Sequence, residues 1–191
     1  MNFLGSGHVK RAEFAIREDG SPQLIFRDRN GKPRCWLATE GDDAPHILLL
    51  DENGKDRVDM TAESDGSTSL LLYGQNGTLR MWLAVQSSGS PSLRLLDRTG
   101  KVSATFASGD TGGTLFLSGE NGEHRIELSS NADGSVGLNL RGRNSEAGAS
   151  LSVHNDGSPL LSFTDGHGNV TRLDPLAKVR RKNPEGVHVS P

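Results

Sequence analysis

The sequence predicts an all-β protein built from tandem two-strand repeats of about 23 residues. Three observations predict this class. Apolar and polar residues alternate with a period of two over short runs, turn residues bound each run, and both features return at a constant spacing. We therefore expect an array of about fifteen short strands, with no helix longer than one turn before Leu173.

Residues 89–106, GSPSLRLLDRTGKVSATF, contain one copy of the repeat. A Gly-Ser-Pro turn precedes the first strand, in which Leu93 and Leu95 share one face. A tight turn follows, and we expect Gly100 to occupy its left-handed position. Val102, Ala104 and Phe106 then form the second strand. The turn signal at residues 97–101 favours an antiparallel hairpin.

The repeat holds its period along the chain. The spacing is 23 residues except for one step of 22, where a residue is missing from the turn between Phe106 and Leu115. The last tight turn but one, Gly142-Arg-Asn-Ser145, lacks its final Gly, so we expect Asn144 or Ser145 to carry the strain. The first apolar position of successive copies is occupied by Leu24, Ile47, Leu70, Leu93, Leu115, Leu138 and Leu161.

The chain divides into three parts. Residues 1–10 are predicted to be an N-terminal lead-in, and residues 11–173 the array of about seven repeats, beginning on a lone second strand. Residues 174–191 form a basic tail, with Lys178, Arg180, Arg181 and Lys182. We expect this tail to be flexible, or alternatively to tether an acidic partner.

The composition argues against several classes of protein. Hydrophobic residues make up 33% of the chain and aromatic residues 5%, which is little for a large core but sufficient for a narrow apolar seam between repeats. A net charge of -3 with mixed signs predicts no nucleic-acid binding. No segment resembles a membrane span or a Sec signal, so we expect a cytoplasmic location or a place in an assembled surface or phage-like structure.

No motif indicates catalysis, a cofactor or a metal. The six His residues are scattered, and turns such as Asp51-Glu-Asn-Gly54 lack the remaining ligands of a calcium loop. The single cysteine, Cys35, falls on the inward apolar positions and is interpreted as a small buried hydrophobe. The sequence thus predicts a protein that is not an enzyme.

Two sets of outward residues form the candidate interaction surface. Trp36 and Trp82 occupy the same outward position two repeats apart, which predicts an interface, a stacking platform for a sugar or base, or packing on a neighbouring strand. An Arg recurs three residues after the turn Gly, in phase with Arg11, and is predicted to pair with turn aspartates or to lie over the sheet. These residues are Arg34, Arg57, Arg80 and Arg125.

The phrase Gly-Ser-Pro-x-Leu-x-Leu-x-Asp-x-x-Gly-Lys-x-x-Ala resembles a repeat of uncharacterised bacterial proteins over residues 11–173. That resemblance implies no activity. The short alternating strands and Gly/Pro turns are also similar to the β-repeats of viral and phage fibre shafts, although the period differs. This second resemblance implies three chains that share one apolar core.

Two architectures remain open at this point. Hairpins give an antiparallel array, which we expect to assemble into an oligomeric fibre or prism, with a homotrimer as the expected oligomer. Identical residues at a fixed period are also compatible with a monomeric β-solenoid. We expect a structural, self-associating protein, and the alternative is a carbohydrate-binding module that uses the outward Trp residues. The expected partner is the chain itself, with a glycan or another structural protein as alternatives.

Overall fold

The computed structural model describes residues 1–40, 43–143 and 147–173. They form sixteen strands and a single-turn 3-10 helix, Ser6–His8. The strands are β1 Asn2–Leu4, β2 Lys10–Ile16, β3 Pro22–Arg27, β4 Pro33–Glu40, β5 Ala44–Leu50, β6 Asp56–Ala62, β7 Thr68–Tyr73, β8 Leu79–Val85, β9 Pro91–Leu96, β10 Val102–Gly109, β11 Gly112–Ser118, β12 His124–Asn131, β13 Val136–Arg141, β14 Gly148–Val153, β15 Pro159–Thr164 and β16 Val170–Leu173. The predicted all-β class, free of longer helices, is confirmed over these residues.

The strands form one open sheet in chain order, and every neighbouring pair is antiparallel. The hairpin array is therefore confirmed. The solenoid alternative is wrong, because equivalent strands of successive repeats would then pair in parallel, whereas here β3 pairs with β2 and β4. The turns decide this, since a connection of five residues joins antiparallel neighbours and is too short for a parallel crossover.

The array is one strand longer than the sequence indicates. β1 lies within the predicted lead-in and pairs with β2, placing Phe3 opposite Ala12. The main chain continues the pairing beyond β1, since the Phe14 N–H donates to the Met1 carbonyl at 2.9 Å and the Met1 amino group donates to the Phe14 carbonyl at 2.6 Å. A three-residue strand is too short to show a period-two pattern, so the sequence did not reveal it.

The register aligns the apolar positions of all repeats on one face, which we call the apolar face. Two continuous rows cross the sheet there, and both positions predicted to point inward belong to them. The first row is Ala12, Phe26, Cys35, Leu49, Val58, Leu72, Met81, Leu95, Ala104, Leu117, Ile126, Leu140, Ala149, Phe163 and Thr171; the second is Phe14, Leu24, Leu37, Ile47, Met60, Leu70, Leu83, Leu93, Phe106, Leu115, Leu128, Leu138, Leu151, Leu161 and Leu173.

A single layer of strands buries little. The buried apolar residues of the described chain are Ile25, Ala38 and Ala84, with exposed fractions of 8%, 6% and 8%. All three lie on the face opposite the apolar one, because each neighbours a residue of the two apolar rows in sequence. The positions predicted to form a core are therefore uncovered within one chain.

Most turns share one five-residue geometry, although their sequences differ. The first residue donates its N–H to the carbonyl of the fifth and accepts from the N–H of the Gly at position four, as at residues 28–32 and 17–21. Gly100 has a φ of 88°, so the predicted left-handed position is confirmed. In the degenerate turn, residues 144–146 lie outside the described residues, as does the predicted basic tail.

Aspartate closes these turns in two ways. In turns such as 28–32, Asp28 occupies position one and accepts the N–H groups of Asn30 and Lys32 at 2.8 and 3.0 Å. In turns such as 154–158, Asp156 occupies position three and accepts the N–H and hydroxyl of Ser158 at 2.8 and 2.6 Å. Both arrangements satisfy donors that no strand partner reaches.

The missing residue falls where the sequence placed it. β10 and β11 are joined by Asp110 and Thr111 alone, with Gly109 opposite Gly112. Gly112 has a φ of 119°, and a Cβ built on it would lie 1.8 Å from the Ser130 carbonyl oxygen. The shortened turn therefore depends on the absence of a side chain at this position.

We predict that Gly112→Ala destabilises the protein by about 2 kcal/mol or more, because the methyl group meets backbone rather than a movable side chain. Gly113→Ala is the matched control, since its added Cβ comes no closer than 3.8 Å to its neighbours. Its effect should stay within about 1 kcal/mol. Denaturant unfolding of both variants checks this, and equal midpoints would contradict it.

The turn aspartates make the stability of the fold sensitive to acid. The Ser hydroxyl and amide hydrogen bonds lower the pKa of Asp19, Asp65, Asp133 and Asp156 below the ordinary value of 3.8. Since folding favours the ionised carboxylates, these bonds stabilise the fold above pH 3.8, and that contribution is lost as the pH falls below it.

Replacing these four Asp residues by Asn should therefore flatten the fall in unfolding free energy below that pH. Conversely, Ser88→Asp should steepen it, because residues 86–90 adopt the same turn with Ser88 in place of Asp and Ser90 at position five. Urea unfolding from pH 5 to pH 2 measures both slopes. Parallel curves for all three proteins would refute the assignment.

Candidate interaction surfaces

The apolar face carries the large exposed hydrophobic side chains of the array. Phe106 is 57% exposed, Leu83 46% and Phe26 47%. From β2 to β15, every exposed large hydrophobic side chain of the described chain lies on this face: Phe14, Ile16, Phe26, Leu37, Leu49, Met60, Leu83, Val85, Leu95, Phe106, Leu117, Leu128, Val136, Leu140, Leu151 and Phe163. The exposure follows from topology, because no second layer of the described chain packs over the sheet.

The face is large. Sixteen strands at a spacing of about 4.8 Å extend for roughly 70 Å, and two rows of side chains give a stripe of very roughly 800 Å². Monomeric proteins rarely expose apolar patches of more than a few hundred Å², whereas a standard interface buries about 800 Å² per partner. A depression of about 440 Å³ between Leu37, Met60, Leu70 and Leu83 could accept side chains from outside.

Trp36 and Trp82 lie on the opposite face, which we call the Trp face. They share one cross-strand row: Trp36 stands opposite Ile25 and Leu48, and Trp82 opposite Leu71 and Arg94. Ile25 is buried, and the other apolar side chains of this row are half-buried. The row is therefore covered largely by its own neighbours.

An Arg side chain covers each Trp ring. The guanidinium carbon of Arg17 lies 5.7 Å from the centroid of Trp36, and that of Arg94 lies 4.8 Å from the centroid of Trp82. These are cation–π distances. Both indole N–H groups are enclosed without a hydrogen-bond partner among the described residues. The rings are thus engaged within the chain, although a groove of about 390 Å³ runs beside Trp82.

The recurrent Arg residues close the ladder between repeats. Each lies one residue beyond the last paired position and donates to a main-chain carbonyl at the end of the next strand or just past it. Arg34 Nε reaches the Leu50 carbonyl at 3.0 Å, and Arg80 Nε reaches that of Leu96 at 2.9 Å. Arg57 contacts the Gly74 carbonyl, and Arg125 that of Gly142. The sequence did not reveal these acceptors, because they appear only when strands are paired.

Some Arg residues also meet turn aspartates. Arg57 pairs with Asp51, and Arg34 Nη1 lies 4.0 Å from Asp28. The sequence predicted this pairing of Arg with turn aspartates, and the structure adds the hydrogen bonds from Arg to main-chain carbonyl groups. The Arg residues therefore hold successive hairpins together at the turns, which is a structural use of their charge.

Other chemistry is sparse over the described ranges. No group of three or more His, Cys, Asp or Glu residues could hold a metal ion there. His46 Nε2 lies 3.0 Å from Asp59 Oδ1 on the Trp face. Within the same residues, no helix has the length and apolar character to cross a membrane.

We predict that Trp36→Ala and Trp82→Ala leave a glycan-array profile unchanged, because Arg17 and Arg94 occupy the ring faces that a sugar would need. The same variants should lower stability by about 1–3 kcal/mol through lost packing. Thermal unfolding is the companion measurement. Sugar binding that disappears in either variant would establish the glycan alternative.

Comparison with known proteins adds no family to this description. No protein-family pattern matches the chain, and no curated protein matches its sequence.

Proposed function

We propose that this chain is a structural, self-associating β-repeat protein, a homotrimeric fibre or stalk element without catalytic activity. The repeating hairpin array is its framework. The observation that carries the proposal is the apolar face, where a large hydrophobic side chain with an exposed fraction of 38–61% recurs on every strand from β2 to β15 except β7.

Burying this face accounts for its composition. At about 25 cal/mol per Å², roughly 800 Å² per copy corresponds to a driving force on the order of 20 kcal/mol per copy before the entropy of association is subtracted. An isolated sheet forfeits that gain, and it also leaves long apolar rows available for non-specific aggregation. Identical copies are the simplest cover, because their faces have the same length and period.

The width of the sheet supports three copies. Strands of six or seven residues extend for about 20 Å, and a triangular prism with sides of about 20 Å has its axis about 6 Å from each side. That distance is close to half of the usual spacing of about 10 Å between packed sheets. Side chains from two rows are sufficient to fill such a prism. Ala12, Cys35 and Ala104 provide room in the first row.

Catalysis and sugar binding have less support. The functional groups of the apolar face are almost all hydrocarbon, and the Trp rings of the other face are covered by Arg side chains. We infer that the Trp face forms the outer surface of the assembly. Its packed row would then stiffen the sheet rather than bind a ligand.

We predict that Phe106→Lys dissociates the oligomer, because its charge would be buried among apolar side chains of other copies. Thr105→Lys is the matched control, since Thr105 is the adjacent residue on the same strand and points to the opposite face. Light scattering over a range of concentrations gives the masses. We expect a trimer for the natural protein and for Thr105→Lys, and a smaller mass for Phe106→Lys.

Cys35 provides an independent measurement that does not depend on a variant. It lies on the apolar face between Phe26 and Leu49, so assembly should slow its reaction with a thiol reagent, and dilution should restore the rate. A natural protein that remains a compact monomer at all concentrations, with a freely reacting Cys35, would rule out the proposed function.

A further inference from the structure

The two long edges of the sheet, each made of turns and the strand residues beside them, differ in charge. In an antiparallel sheet in chain order, alternate turns lie at opposite edges. We call the edge that carries the turns after β2, β4 and each later even-numbered strand the acidic edge. The edge that carries the turns after the odd-numbered strands is the basic edge.

The acidic edge has almost no positive charge. Its described turn residues include eight Asp and Glu residues and one basic residue, Arg17, a formal charge of -7. All eight acidic residues are exposed: Glu18, Asp19, Asp43, Glu63, Asp65, Asp110, Asp133 and Asp156. Arg17 lies 4.0 Å from Asp19, which leaves the other turns without a cation of their own on this edge.

The basic edge has the opposite balance. Its described turns, together with the two strand residues on either side of each, carry fourteen Lys and Arg residues against eight Asp and Glu residues, a formal charge of +6. Counted in the same way, the acidic edge gains Glu40 and carries a formal charge of -8. The recurrent Arg residues supply much of the excess, with Lys32, Lys55 and Lys101 exposed between them. Their hydrogen bonds to carbonyl groups leave their positive charge in place.

We propose that the copies run parallel around an axis directed along the array, with the acidic edge of each copy against the basic edge of the next. This inference rests on the proposed self-association through the apolar face and adds its orientation. Rotation about such an axis brings opposite edges together at every corner. An antiparallel arrangement of two faces would instead bring acidic edge against acidic edge.

The charges select between these arrangements. The apolar rows have a nearly constant period and composition, so they fit an identical face in either direction. Unlike charges at the parallel corners attract, whereas eight exposed carboxylates on each of two acidic edges would repel. Electrostatic complementarity thus determines the register and direction that the hydrophobic contact leaves undetermined.

The test is cross-linking between engineered cysteines in a Cys35→Ser background. Asn155→Cys on the acidic edge is combined with His167→Cys, an exposed position on the basic edge at the same end of the array. Within one chain the two are separated by the length of β15, about 20 Å, so a short bismaleimide links them only between copies. We expect covalent oligomers on a denaturing gel.

The matched pair is Asn155→Cys with Glu18→Cys, both on the acidic edge at opposite ends of the array. The antiparallel arrangement predicts that this pair cross-links, and the parallel one predicts that it does not. If the protein is an oligomer and the matched pair links, or the first pair does not, then the parallel orientation is wrong and the proposed function stands. A monomeric mass for both cysteine variants and the natural protein would instead overturn the proposed function.

Discussion

The fold depends on one constraint: a meander of short hairpins forms a single layer, and a single layer cannot cover its own apolar side. Each strand contributes two large or small hydrocarbon side chains to the same face, and the turns are too short to return the chain over them. Large side chains of this face, Phe106 and Leu83 among them, are therefore about half exposed in the described chain.

The repeat divides its tasks between positions. Apolar rows provide the buried surface, Gly and Asp set the turns, and the Arg residues join each hairpin to the next through carbonyl groups at the end of the ladder. Because each repeat contacts only its neighbours, a local defect has local effects. The two-residue turn at Asp110 and Thr111 shortens one hairpin connection and leaves the rows on either side in register.

The two faces differ in how their large side chains are covered. On the Trp face, large side chains are covered by Arg residues and by one another, so this face can meet water without an apolar stripe. On the apolar face, Leu and Phe residues have no such cover. The two Trp residues, the most conspicuous of the sequence, therefore lie on the covered face, and the less conspicuous Leu rows lie on the exposed one.

The sequence by itself determined the class of the fold, the strand positions and the turn geometry, because a period of two and a Gly at turn position four are local properties. It also separated Leu83 and Phe106 from Trp82 and Thr105 by face. Tertiary structure decided the features that depend on which strands pair with each other. Strand order excluded the solenoid, added β1, found the carbonyl acceptors of Arg34 and Arg80, and sorted turns that alternate along the chain into an acidic and a basic edge. These features join residues distant in sequence, so no local pattern encodes them.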